Sequence, residues 1–127
     1  MADKGVCWRF RDYGNESMVS PAKRGHEVAF ETRLDFLRVR PPSVWQRPYI
    51  GTLRKECKGL FEIRLEVGNV QHRPIGYYPG ELQFTILAFA TERDSKLVPA
   101  GVCALAKRRR ALIEQNRRYA REFKIEG

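Results

Sequence analysis

With 127 residues, 43% of them hydrophobic and 31% charged, the chain has the length and composition of one globular domain, residues 1–127. Twenty-four Lys and Arg against fifteen Asp and Glu leave a formal charge of +9, a surplus that attracts polyanions or acidic proteins. No apolar run approaches the ~18 residues of a membrane span, no signal peptide is visible, and three well-separated cysteines (Cys7, Cys57, Cys103) argue against a disulfide framework or a zinc site, so a soluble protein of the reducing cytoplasm is expected.

Gly5 to Tyr13 alternates Cys7, Arg9 and Arg11 with Val6, Trp8 and Phe10, which predicts a first strand. Ser20-Pro21 offers an N-cap followed by a proline at the first helical position, and Phe30, Leu34 and Leu37 then recur at helical spacing until Arg40-Pro41-Pro42 forbids continuation. Residues 43–58 carry Pro48 and Gly51 among scattered apolar residues and read as an irregular connection. Leu60 to Val67 alternates Phe61, Ile63, Leu65 and Val67 with Glu62, Arg64 and Glu66, a strand. Gly68-Asn69 is a two-residue hairpin signal, and Val70 to Tyr78 returns antiparallel. After Pro79-Gly80, Leu82 to Ala90 is apolar on both parities, as a central strand covered on two faces would be. A polar turn, a short strand at Lys96 to Val98 and a last helix from about Val102 to Arg121, with Leu105, Leu112, Ile113 and Tyr119 as its apolar stripe, complete the chain. The expected fold class is α+β: a small antiparallel sheet of about four strands, an N-terminal helical segment and a C-terminal helix, with one sheet face open.

A two-residue loop at Gly68-Asn69 pairs Val67 with Val70 and Leu65 with His72, and it stands Arg64 across from Arg73 on the open face. Either Glu62 and Glu66 compensate this like-charge pair, or the pair awaits an anion. His72 falls on the apolar side as a core histidine unless a bulge at Pro74 turns it outward. The last helix concentrates the basic surplus: Lys107, Arg108, Arg109 and Arg110 sit near its start, where the helix dipole disfavours cations and a phosphate backbone or an acidic partner would offset the cost. No phosphate-binding, dinucleotide or metalloprotease motif is present, and neither a metal nor another cofactor is expected.

The run from Thr52 to Tyr78, TLRKECKGLFEIRLEVGNVQHRPIGYY, resembles the RelE/ParE toxin superfamily, closest to its phage-derived, HigB-like branch. The matching positions are Gly59-Leu60, Glu62-Ile63-Arg64 and His72-Arg73, with the Leu37 to Pro41 close of the first helix also similar. Pro74, Gly76 and Lys96-Leu-Val-Pro99 depart from the family pattern. The resemblance implies a RelE/ParE-like fold and a cytoplasmic toxin of a type II toxin–antitoxin system. The implied activity is translation-inhibiting, metal-independent cleavage of messenger RNA on the ribosome, with a cognate helix-turn-helix antitoxin as partner. It implies Arg64 and Arg73 as the charge facing the phosphate, Tyr77 or His72 as proton carriers, and Lys58 and Lys107, with Arg108, Arg109 and Arg110 beside it, as RNA contacts. Two other expectations stand beside it: a ParE-like gyrase poison, and a non-enzymatic phage-derived basic module that binds RNA or an acidic protein.

Overall fold

The computed structural model describes residues 5–13 and 26–122. In chain order its elements are β1 (Arg9–Tyr13), α1 (His26–Arg38), β2 (Ile50–Thr52), β3 (Phe61–Ile63), β4 (Leu65–Val67), β5 (Val70–His72), β6 (Ile75–Tyr77), β7 (Gln83–Ala88), β8 (Thr91–Arg93), β9 (Lys96–Val98), α2 (Val102–Gln115) and β10 (Ala120–Glu122), with 3-10 turns at Pro42–Val44, Lys55–Cys57 and Arg117–Tyr119. The strands form a six-stranded sheet, ordered β10-β1-β7-β6-β3-β2, and a four-stranded sheet, ordered β4-β5-β8-β9.

This corrects the expected fold class. The described residues hold ten strands in two sheets rather than about four in one, and β1 runs parallel to β7. The expected RelE/ParE-like arrangement of helices on a single small sheet is therefore not what the chain adopts. Each long strand of the sequence breaks in two, passing from one sheet to the other: residues 61–67 at Arg64, 70–77 at Arg73-Pro74 and 83–93 at Phe89-Ala90. Proline has no amide hydrogen and cannot continue a ladder. At the same bend the Arg64 amide donates to the Tyr49 carbonyl at 2.8 Å instead of to a neighbouring strand of the hairpin. Two further strands, β2 and β10, lie in stretches that read as an irregular connection and as helix.

Neither face of the larger sheet is open. Phe84 and Ile86 of β7 join Trp8, Phe10, Leu34 and Leu37 in a core on the α1 side, while Leu87 packs with Ile75, Tyr77, Ala106 and Ile113 on the α2 side. The two-sided apolar pattern of residues 82–90 is thus realised, with β7 between β1 and β6. Helix α2 stops at Gln115, short of the expected Arg121. Asn116 leaves the helical conformation, and its side-chain oxygen accepts from the Arg118 amide at 3.0 Å. The face that α2 buries is Val102, Cys103, Ala106, Arg109 and Ile113, one step round from the expected stripe. The N-cap expected at Ser20-Pro21 lies outside the described residues.

The reading of the cysteines is also corrected. Packing of the start of α2 over the Lys55–Cys57 turn brings Cys57 and Cys103 to a Cα separation of 5.2 Å, and the two form a disulfide despite a sequence separation of 46. Cysteine usage therefore no longer argues for a reducing compartment. No helix among the described residues is long and apolar enough to cross a membrane.

Candidate functional site

The β4–β5 hairpin pairs Leu65 with His72, Glu66 with Gln71 and Val67 with Val70, as the Gly68-Asn69 loop predicts. Both loop residues have positive φ, 55° and 66°, the geometry that matches the twist of the flanking strands. Just beyond it, at the bend between the sheets, Arg64 and Arg73 converge on one carboxylate: their Nε atoms lie 3.2 Å and 3.7 Å from Glu62 Oε2. Arg73 also donates to Glu92 Oε1 at 3.1 Å, to Gln71 Oε1 at 2.9 Å and to the His72 carbonyl at 2.9 Å. It is 4% exposed. Arg64 keeps 28% of its side chain in solvent. The expected pair of guanidiniums projecting together into solvent is thus corrected: one is inside, and both are tied to the same acid. Burial pushes the Glu62 carboxyl above its ordinary range, against the pull of Arg73, Arg64 and Arg47 and with some added repulsion from Glu92. His72 is buried across from Leu65, so the core reading of this residue holds and no bulge turns it outward.

Tyr77 lies elsewhere, in a cleft on the α2 side of the sheet. The pairings Arg11 with Thr85 and Thr85 with Tyr77 set these three residues in one row across β1, β7 and β6. Arg110 and Glu114, at i and i+4 on one face of α2, and Arg117, at the start of the 3-10 turn after it, close the other wall. Together with Gln83 they line a cavity of about 700 Å³. The Arg110 guanidinium lies 4.4 Å from the centre of the Tyr77 ring; its Nη1 donates to the Gly59 carbonyl at 3.2 Å and its Nε to Glu114 at 3.4 Å. Arg11 donates to Gln83 Oε1 at 3.0 Å. Burial, with repulsion from Glu114, pushes the Tyr77 phenol above its ordinary value despite the opposing pull of Arg110, Arg11 and Arg117, so it keeps its proton at neutral pH.

The four-cation run at residues 107–110 divides around the helix, because successive residues point about 100° apart. Lys107 and Arg108 are exposed. Arg109 turns into the core, donating to the Leu87 carbonyl at 2.8 Å and lying 5.0 Å over the Tyr13 ring, which corrects its expected place as an RNA contact. Arg110 enters the cleft. Lys58 is exposed beside Gly59, whose carbonyl receives Arg110.

Of the expected site residues, the cleft therefore gathers Tyr77 and Arg110, while Arg64, Arg73 and His72 sit at the sheet bend. Sequence reasoning missed Arg11, Arg117, Gln83 and Glu114. Two signals were present: the parity of Arg9 and Arg11 on the first strand, and the helical spacing of Arg110 and Glu114. The chain matches no protein-family model, no curated protein and no solved structure. Among the described residues no three His, Cys, Asp or Glu side chains are grouped so as to hold a metal ion.

Proposed function

We propose that this protein is a metal-independent endoribonuclease, the toxin of a type II toxin–antitoxin pair that resembles the HigB-like branch of the RelE/ParE superfamily in the sequence of residues 59–73 and not in fold, and that RNA is cut in the cleft of Arg11, Arg110 and Arg117. The observation that carries the reading is one cavity holding three guanidiniums, a carboxylate and a tyrosine that retains its proton. Cleavage by a ribose 2′-hydroxyl needs a base for that hydroxyl, charge for the developing phosphorane and an acid for the departing oxygen. In this cleft Glu114 takes the 2′ proton, the arginines hold the phosphoryl oxygens, and Tyr77 gives its proton to the 5′ oxygen. The O2′–P bond forms, the P–O5′ bond breaks, and the products are a 2′,3′-cyclic phosphate and a 5′-hydroxyl. Arg64 acts from outside the cleft as a backbone contact, and Arg73 acts through Glu62 as a positioning residue. Action on ribosome-bound messenger and neutralisation by a helix-turn-helix antitoxin belong to the same proposal and are supported by the strand pattern from Gly59 to Arg73.

Burial of Arg73 favours one second reading, a basic module that binds RNA without cutting it. Purified protein incubated with end-labelled RNA in a chelator separates the two. Cleavage to cyclic-phosphate ends, lost roughly 100-fold or more in Arg11→Ala/Arg110→Ala with its circular dichroism unchanged, is expected. Cleavage abolished by the chelator, or retained in that variant, refutes the assignment. Salt-sensitive binding with no cut establishes the second reading.

A further inference from the structure

On the opposite side of the larger sheet, beneath the turn that joins β6 to β7, lies a second cavity of about 910 Å³. Its floor is aromatic. Trp8 and Trp45 stack at 3.8 Å, and Phe61 meets Tyr78 edge-on at 4.7 Å. Both indole N–H groups are already committed, Trp8 to the Arg40 carbonyl at 2.7 Å and Trp45 to the Leu37 carbonyl at 3.2 Å, so the rings offer this cavity apolar surface and no donor. Its rim is polar and positive: Arg47 and Arg54 are exposed there, against the single acid Glu81.

We infer that this cavity is a stacking subsite for one unstacked nucleobase of single-stranded RNA, the nucleotide next to the phosphate held in the arginine cleft. The inference rests on the reading that RNA enters that cleft. Aromatic rings beneath two guanidiniums match the two halves of a nucleotide, a planar base and its phosphate, and single-stranded nucleic acids are bound by this combination. The two cavities meet at the β6–β7 turn: Pro79 lines the arginine cleft and Gly80 lines this one. Tyr77 and Tyr78 are consecutive residues whose side chains leave opposite faces of the sheet, and Tyr78 lines both cavities. A strand that passes over the β6–β7 turn, at the strand ends, keeps its phosphate on Arg11 and Arg110 while the adjoining base reaches Phe61 and Tyr78.

The test uses the full chain and a short 2′-O-methyl RNA, which lacks the attacking hydroxyl, together with copies carrying one abasic position each. Binding is read by anisotropy of a labelled 5′ end and by tryptophan emission. One abasic position is expected to weaken binding roughly 5- to 100-fold and to abolish the change in tryptophan emission. Phe61→Ala should make intact and abasic oligomers bind alike. Arg54→Ala, at an exposed position, should lower the slope of log affinity against log salt by about 1, which keeps the test decisive if Phe61→Ala fails to fold. Equal binding of every abasic copy overturns the subsite, as does a change in tryptophan emission with an acidic peptide and none with RNA, which would make the cavity a protein-docking site. The cleft reading fails separately: Arg11→Ala/Arg110→Ala would then bind the intact oligomer as tightly as the wild type, whatever the abasic copies do.

Discussion

Replacing Arg73 with alanine removes a guanidinium that makes three hydrogen bonds and faces the Glu62 carboxylate, which remains in place, buried. Deleting one partner of a buried ion pair costs about 3–5 kcal/mol, because the other charge is left without compensation. Glu62 retains Arg64 at 3.2 Å, and Glu92, with 32% of its side chain exposed, can turn to water. These place the expected loss near the lower bound, about 3 kcal/mol, or about 10 °C in Tm for a domain of this length. Arg64→Ala removes one partly solvated ion pair and should cost under about 1 kcal/mol. The pH dependence supplies a second check. The Glu62 carboxyl already titrates above 4.5 in the folded protein because burial outweighs its arginines, and losing Arg73, the strongest of these, raises it further. The folded state then holds a proton that the unfolded chain has released, so stability falls as pH rises from 4.5 through the folded value. The deficit of Arg73→Ala against the wild type is therefore largest near neutral pH and shrinks toward 4.5. Urea unfolding followed by tryptophan fluorescence at mildly acidic and neutral pH measures both. A deficit under about 1 kcal/mol at neutral pH, or one equal at the two pH values, refutes the reasoning. Loss of activity in Arg73→Ala is thus expected to follow loss of fold, whereas loss in Arg64→Ala reports on RNA contact.

Gly76→Ala sets a Cβ against the Thr85 backbone carbonyl and within 2.8 Å of the Phe84 ring, a rigid wall on the neighbouring strand; a loss of about 3 kcal/mol or more, or insoluble protein, is expected, and wild-type denaturation would contradict the packing. Cys103→Ser opens the disulfide that spans 46 residues and should cost about 4 kcal/mol by loop-closure entropy. Denaturation with and without reductant checks it, since the wild type should shift and the variant should not. Tyr78 is held among aromatic rings and its phenol is pushed up to about 12 by burial. Ultraviolet titration should show a last tyrosine ionising there and lose it in Tyr78→Phe. The folded protein keeps a proton that the unfolded chain gives up near 10.0, so stability falls as pH rises from 10 toward 12, and the variant should show less of that fall.

The first strand, the close of the first helix before Pro41, the two-sided burial of residues 82–90 and the pairing of Leu65 with His72 were legible in the sequence, because side-chain period and a two-residue turn are local properties. The concentration of charge on the last helix was legible for the same reason. What local pattern does not encode is where a strand bends out of its sheet. The breaks at Arg64, at Arg73-Pro74 and at Phe89-Ala90 turned an expected small sheet into two, placed Arg73 inside and enclosed Glu62 between two arginines. Parity likewise could not say which face α2 would cover, and that choice put Arg109 in the core, Arg110 over Tyr77 and Cys103 against Cys57. The cleft is assembled from β1, β6, β7 and α2, elements up to about a hundred residues apart. Its members carry no common sequence signal, since cross-strand registers and helix docking are set by the packing of cores on both sides of the sheet.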